Sequence, residues 1–334
     1  MKVTIGIKTL NEEARIAAAI RSALAAVERV GGDVVVADSG SADATVAIAK
    51  KFPVRIVQLA NPTERCCGAG AQLAYQQNRG EYFYLLDGDM VLDPDFLPAA
   101  IKYLEENPKF AAVGGRVREV NTSALEFQIR AQKVQTARNW LPGTVDRLDC
   151  GGLYRRSALH EIGYFADRNL HAFEEYDLGV RLRERGWLLA RIDRHSIDHF
   201  GHATEGYALL WRRIRSGHSS AAGEVVRASW DMGYFWTVLK EFSHLRLGLA
   251  VMLWWASLIS ILALPGGASS RLAIFGGGIL LPLAGLTWRR GNVRLGFYSF
   301  VIWNVSAFGL LIGFFRRRAS SKEMLKSIVI AGDA

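Results

Sequence analysis

An α/β fold, with a mainly parallel sheet covered by helices on both faces and followed by transmembrane helices at the C-terminal end, is what this 334-residue sequence predicts. Three observations predict it. Apolar strand-like runs alternate with helical patterns through the first half, Asp38 and Asp87 each come directly after such a run, and three uncharged stretches crowd the last quarter.

Residues 3–7 read as a buried strand, residues 12 to about 30 as a helix and residues 33–37 as a second strand. The turn-rich Asp38-Ser39-Gly40-Ser41 leads to a helix over 43–51, in which Asp43 is a helix N-cap, and further strands lie at 54–59 and 82–86. Strands alternating with helices pair in parallel, and ligands of such sheets gather at the carboxyl ends of the strands. Both Asp38 and Asp87 land on that edge. Past Asp89 the spacing predicts a strand near 112–117, a helix from about 123 to 140, a glycine-rich turn at Cys150-Gly151-Gly152, a helix over about 175–185 and a strand at 188–192.

Composition narrows the class. Half of the residues are apolar, which supplies a sizeable core and excludes a disordered chain. Cys66, Cys67 and Cys150 provide neither a disulfide framework nor a zinc spacing, which points to a reducing setting. The net charge of +9 lies beside apolar stretches rather than among interleaved aromatics, so it points to a membrane surface or phosphorylated ligands and away from nucleic acid. No signal peptide is expected at the N-terminus.

Residues 247–268, 272–288 and 295–315 carry no charged side chain, and each run approaches the roughly 20 residues that cross a bilayer. The expected division is a catalytic domain over 1–240, a membrane anchor of two or three helices over 245–318 and a short basic tail over 319–334. Trp230, Tyr234, Phe235 and Trp236 read as an interfacial aromatic belt. Trp211-Arg212-Arg213-Ile214-Arg215 reads as a solvated or membrane-facing helix, or as a clamp on phosphates. With the catalytic domain cytoplasmic, three crossings would put Arg316, Arg317, Arg318, Lys322 and Lys326 outside, against the positive-inside tendency. A non-crossing middle run strands Arg289, Arg290 and Arg294 instead, and only a non-crossing third run satisfies every basic cluster, although that run is the most membrane-like.

Asp87-Gly88-Asp89 ends a buried strand with two carboxylates, a spacing that can grip Mg²⁺ or Mn²⁺ against a diphosphate. Asp38 can accept hydrogen bonds from a base or ribose. Glu174-Glu175-Tyr176-Asp177-Leu178 opens a helix; its acids complement the helix dipole, and one of them near a sugar can take a proton from an acceptor hydroxyl.

Together these segments resemble the inverting glycosyltransferases of family 2, which have the GT-A fold. Ile5 to Glu13 is similar to that family's first strand and its "PTxNEE" turn, Asp38-Ser39-Gly40-Ser41-Ala42-Asp43 to "DxGSxD", Asp87-Gly88-Asp89 to the DxD and Glu174 to Leu178 to "EDxDL". The resemblance covers about residues 3–200. It implies that Thr9, Asn11 and Glu13 line the nucleotide pocket with Asp38 on uracil or ribose. It makes Asp89 the principal metal ligand, puts Asp87 on ribose or metal-bound phosphate and brings Gly151-Gly152 close to the donor sugar. Glu175 falls where the family usually has its catalytic Asp, with Glu174 as the alternative base. His199 or His202 would complete the metal shell, His199 being favoured, and His195 is peripheral. Lys8 stands where the family usually has Pro, and Gln72 where Asn is common.

The expected activity is inverting transfer of one sugar from a nucleotide diphosphate donor, UDP-linked by preference, to the hydroxyl of a lipid-linked or glycan acceptor, with Mn²⁺ or Mg²⁺ as cofactor. The expected location is the cytoplasmic membrane, with the catalytic domain facing the cytoplasm. The Gln-x-x-Arg-Trp segment of processive polymerases has no counterpart here, which favours a single transfer. Transfer to polyprenyl phosphate, which needs no general base, is the near alternative. A membrane transport or scaffold protein with a nucleotide-sensing domain is the alternative from another class. A dinucleotide oxidoreductase is disfavoured, because no G-x-G-x-x-G comes after the first strand.

Overall fold

The computed structural model describes residues 1–121, 125–201, 206–263, 265 and 267–332, with side chains described throughout except at 125–129. The chain forms two compact units, one of residues 1–205 with 318–334 and the other of residues 206–317.

The first unit begins with β1 (Val3–Thr9), α1 (Ile16–Glu28), β2 (Gly32–Asp38), α2 (Thr45–Ala49), β3 (Arg55–Leu59), α3 (Cys67–Gln76) and β4 (Tyr82–Asp87). Helices separate these strands, and β3, β2, β1 and β4 lie side by side in parallel. Almost every residue of β1 and β4 is buried, because a sheet covered on both faces has no solvent side. The parallel sheet expected from the sequence is therefore present, with helices starting a few residues later than the periodicity suggests.

Next come β5 (Met90–Leu92), α4 (Phe96–Glu106), β6 (Phe110–Glu119), α5 (Leu125–Thr136), β7 (Gly143–Val145), β8 (Gly152–Arg155), α6 (Arg156–Ile162), α7 (Glu174–Glu184) and β9 (Leu188–His199). β8 pairs antiparallel with β4 and with β6, so the sheet is mixed beyond β4. β9 extends to His199, well past the residues 188–192 expected as a strand, because it continues alongside β6 and β5.

Two apolar clusters cover the two faces of the sheet. One joins Ile5, Ile7, Val36 and Leu86 to α1 and α4, and the other joins Val35, Ala37, Phe83 and Leu85 to α3 and α7. In α7 the fully buried Asp177 accepts from Arg181 Nε at 2.7 Å, and the guanidinium also donates to the carbonyls of Tyr164 and Phe165. Gln72 accepts from the N–H groups of Phe165 and Ala166, so this departure from the family pattern holds the loop before α7.

The second unit contains α8 (Gly206–Arg215), α9 (Ala221–Met232), α10 (Phe235–Glu241), α11 (Ser243–Leu262), α12 (Ala268–Arg290) and α13 (Val293–Phe315). α11, α12 and α13 are long and apolar enough to cross a membrane. Gly309 and Gly313 let α13 approach the backbone of residues 219–220 closely. The segment 319–334, expected as a basic tail, instead belongs to the first unit, where β10 (Ser327–Ala331) pairs antiparallel with β3 at the sheet edge. The apolar run Ile328-Val329-Ile330 is what the edge of β3 takes up.

Candidate active site

Sheet register assembles the site. Lys8 is the partner of Asp87 across β1 and β4, and Thr9 is the partner of Asp38 across β1 and β2. Both pairs lie at the carboxyl ends of the parallel strands, the edge at which such sheets bind ligands.

Lys8 joins the first acidic group. Its Nζ lies 3.3 Å from Asp87 Oδ1 and 2.8 Å from Glu174 Oε1, with Glu174 buried. Burial pushes this ammonium toward release of its proton, but Asp87, Glu174 and Glu175 outweigh it and hold the lysine well above its ordinary range. Phe173, in the left-handed region at φ 67°, turns the chain into α7 and delivers both glutamates at its first turn. Glu175 Oε1 accepts from the Cys150 N–H at 3.1 Å. Burial, reinforced by Glu174 against the opposing pull of Lys8, pushes the Glu175 carboxyl up to about 8.

Gly151, at φ 85°, comes directly after Cys150, and a Cβ there would lie 2.8 Å from the Leu85 carbonyl oxygen. Only glycine permits that approach of β8 to the end of β4. Gly152 is the register partner of Leu85.

A second group surrounds Asp89. β5 leaves Asp89 directly and pairs with the end of β9, which sets Asp89 Oδ2 3.3 Å from His199 Nε2. β6 pairs with β9 so that Glu119 is the partner of His199, and Glu119 Oε2 lies 2.6 Å from His199 Nδ1. Burial pushes the imidazole down, yet its bonds to Asp89 and Glu119 prevail and raise it to about 9. Arg130 Nε stands 2.6 Å from Glu119 Oε1. His202 lies outside the described residues. His195 lies 3.1 Å from the Asp198 carboxylate, on a partly exposed stretch of β9.

Glu12, part of the segment that resembles the "PTxNEE" turn but given no role from it, borders the same group. Its carboxyl is pushed up to about 7, first by burial and then by Asp89 and Asp87. A Cβ on Gly88 would come within 2.9 Å of Thr9 Oγ1 and 3.0 Å of Glu12 Cγ, which explains the glycine between the two aspartates. The buried Thr9 hydroxyl has no hydrogen-bond partner among the described residues, so a ligand group can satisfy it.

Asp38, Asn11 and Glu13, expected on the nucleotide, bond to the loop between β2 and α2. Asp38 is fully buried, and its carboxylate accepts from the Gly40 and Ser41 N–H groups, the Ser41 hydroxyl and the Gln58 amide. Three of these bonds reach Oδ2 and only the Ser41 hydroxyl reaches Oδ1, so the carboxylate anchors its own turn to β3. Asn11 Oδ1 accepts from the Ala42 N–H at 2.8 Å and Glu13 Oε2 from the Ala44 N–H at 3.0 Å. These two residues clamp the loop before α2.

Among the described residues no three His, Cys, Asp or Glu side chains form a complete metal cage. The donor set nevertheless fits a divalent ion that keeps open positions for phosphate oxygens. One carboxylate and one imidazole converge, the imidazole becoming a donor when an arriving cation displaces the proton between His199 and Asp89, and Glu119 holds the second ring nitrogen as outer carboxylates commonly do at such sites.

Residues 4–163 match the model of the family "Glycosyl transferase family 2". A stretch of 125 residues is 31% identical to "Glucomannan 4-beta-mannosyltransferase 7" of Arabidopsis thaliana, covering 34% of this chain and 21% of that protein. The match thus spans about a fifth of the plant relative's length. The structure is similar to "Mannosyltransferase PcManGT from Pyrobaculum calidifontis in complex with GDP-Man and Mn2+", with a TM-score of 0.57 at 19% identity over 93% of this chain and 87% of that one. It is also similar to S. aureus TarS 1-349 in complex with UDP-GlcNAc, with a TM-score of 0.51 at 15% identity over 93% of this chain and 91% of that one. The fold is GT-A-like, as the sequence motifs implied.

Proposed function

We propose, from the premise that this chain is a family 2 glycosyltransferase using nucleotide-sugar donors, that it inverts the anomeric centre in a single transfer to an acceptor hydroxyl. The observation that carries the proposal is the placing of two acidic groups on one strand edge, Lys8 with Asp87, Glu174 and Glu175 in one and Asp89 with His199 and Glu119 in the other. The Asp89 group suits a diphosphate and its metal, and the Glu175 group suits proton removal.

In this reading Asp89 and His199 hold Mn²⁺ or Mg²⁺, with Asp87 beside the phosphates. A bound ion supplies charge neutralisation for the departing nucleoside diphosphate. Glu174 is engaged by Lys8, which leaves Glu175 to accept the proton of the attacking hydroxyl. A carboxyl raised to about 8 is well matched to that task near neutral pH, where proton uptake and ionisation balance. The Thr9 hydroxyl and the backbone at Gly151-Gly152 border the donor. Direct displacement from the face opposite the nucleotide inverts the configuration. A UDP-linked donor and a cytoplasmic membrane location remain part of this proposal, and the apolar helices support a lipid-linked acceptor. A membrane-bound enzyme gains most when its acceptor shares the bilayer.

The test is a screen of UDP- and GDP-sugars against membrane extracts, reading nucleotide release and product configuration with and without Mn²⁺. Metal-dependent transfer with inversion is expected. Retained configuration, or turnover unchanged by chelation, would sink the reading.

A further inference from the structure

We infer that the chain leaves its catalytic unit and returns to it on one face of the membrane, so that α11, α12 and α13 together make an even number of crossings. This rests on these helices entering a bilayer and not on the reaction proposed above. Three apolar helices of 20, 23 and 23 residues invite the opposite count. Three crossings would separate residue 318 from residue 205 by the full thickness of the bilayer.

The return segment forbids that separation. α13 ends at Phe315, and Arg318 already pairs with the buried Asp167 of the catalytic unit. Three residues reach about 10 Å when fully extended, against a hydrocarbon core of about 30 Å. Beyond Arg318 the chain is tied down along its length. The Ala319 N–H donates to Asn169 Oδ1 at 2.8 Å, Leu325 is buried and exchanges two hydrogen bonds with the Gln76 side chain, and β10 pairs with β3 in the register Ser327 to Leu59 and Ile328 to Gln58. A strand of the central sheet has to be on the same side of a membrane as the sheet.

No other described helix of the second unit corrects the count. α8, α9 and α10 have 10, 12 and 7 residues, at most about 18 Å at 1.5 Å per residue, too short to span.

The helices themselves give a second, independent indication. Three consecutive crossings alternate in direction, which would make the first and third helices parallel. Here they are antiparallel. Near the start of α11, a Cβ on Gly248 would meet Leu310 and Ala307 of α13, while further along Trp255 Nε1 donates to Asn304 Oδ1 at 2.6 Å. Advancing along α11 means retreating along α13.

An even count also returns the C-terminal basic cluster to the catalytic face, while Arg289, Arg290 and Arg294 stay on the other face when the middle helix is the one that does not cross. Arg316, Arg317, Arg318, Lys322 and Lys326 then lie on the face that holds the catalytic unit, and with a cytoplasmic catalytic unit this cluster obeys the positive-inside tendency.

The experiment uses the full chain with one epitope before Met1 and another after Ala334, in sealed membrane vesicles of both orientations. Carbonate washing first establishes that the chain is embedded; release into the soluble fraction overturns the inference. Protease and antibody access then reports the face of each epitope. Both epitopes accessible from the same side, in either vesicle type, is the expected result. Epitopes on opposite sides overturn it, whatever the donor screen shows, since transferase activity and topology are read separately.

Discussion

The Nζ atom of Lys8 lies 2.8 Å from Oε1 of Glu174, joining the first strand of the sheet to the helix that carries both candidate bases. The contact spans 166 positions of sequence and is largely shielded from water. It engages the Glu174 carboxylate, and it supplies a positive charge among Asp87, Glu174 and Glu175 that would otherwise repel one another.

Replacing Lys8 by Met is therefore expected to destabilise the protein by about 3 kcal/mol, the scale at which removing one partner exposes a buried charge. For a unit of this size that lowers Tm by roughly 6–12 °C. The Lys8→Met, Glu174→Gln double variant should recover part of the loss. Thermal unfolding of the four proteins of the cycle measures the coupling, and strictly additive losses would show that the pair does not act as one.

Glu175 makes the activity and the stability depend on pH in opposite directions. Its carboxyl titrates at about 8 in the folded protein against an ordinary value of 4.5. The folded state thus binds the extra proton, and the stability this gives is present below about pH 4.5 and is lost as pH rises through about 8. Transfer to a hydroxyl needs the ionised form, so the rate should climb over the upper part of that window. Glu175→Gln should raise Tm at pH 8 and flatten its pH dependence while lowering transfer to a hydroxyl by roughly 10²–10⁴-fold. Full retention of transfer would shift the reading to an acceptor already ionised, such as polyprenyl phosphate.

Much of this architecture was legible in the sequence for a plain reason. Strands β1, β2 and β4 are largely apolar runs, and Asp87-Gly88-Asp89 comes after the third without an intervening residue. What could not be read there is lateral. Lys8 looks like a departure in a loop motif until register makes it the neighbour of Asp87. Glu119 and His199 lie 80 positions apart, and only the pairing of β6 with β9 makes them partners. Asp38 shows the converse: its motif suggested a ligand contact, and nothing in the sequence indicated that the buried carboxylate also takes three donors from its turn and one from Gln58 of β3.

Glu119 is expected to act on the metal through His199. Its carboxylate fixes which imidazole nitrogen faces Asp89, so Glu119→Gln should weaken Mn²⁺ binding in the presence of donor by about 10–100-fold, with a smaller effect on donor binding in chelator. Asp89→Ala should abolish the metal dependence altogether. Calorimetric titration with Mn²⁺ separates the two. An unchanged Mn²⁺ affinity in Glu119→Gln would reduce that residue to a partner of Arg130.

Asp38 gives the sharpest distinction between organising a loop and touching a nucleotide. The Ser41 hydroxyl bonds to Oδ1 of Asp38 and also accepts from the Asn11 N–H, tying together the loops after β1 and β2. Ser41→Ala removes one donor from the carboxylate and one acceptor from Asn11, a loss of about 1–2 kcal/mol in stability. If Asp38 serves only the turn, donor affinity in this variant stays within about twofold while Tm falls. If the nucleotide reaches Asp38 by displacing the hydroxyl, removing it frees Oδ1 in advance and the donor binds more tightly. Asp38→Asn extends the test, because its amide oxygen can still accept from the Gly40 and Ser41 N–H groups while its nitrogen, set opposite the Ser41 hydroxyl, can donate but no longer accept. Only the sign of the Ser41→Ala effect on donor binding, measured by titration at fixed Mn²⁺, tells the two roles apart, and the four bonds already made by the buried carboxylate predict no tightening.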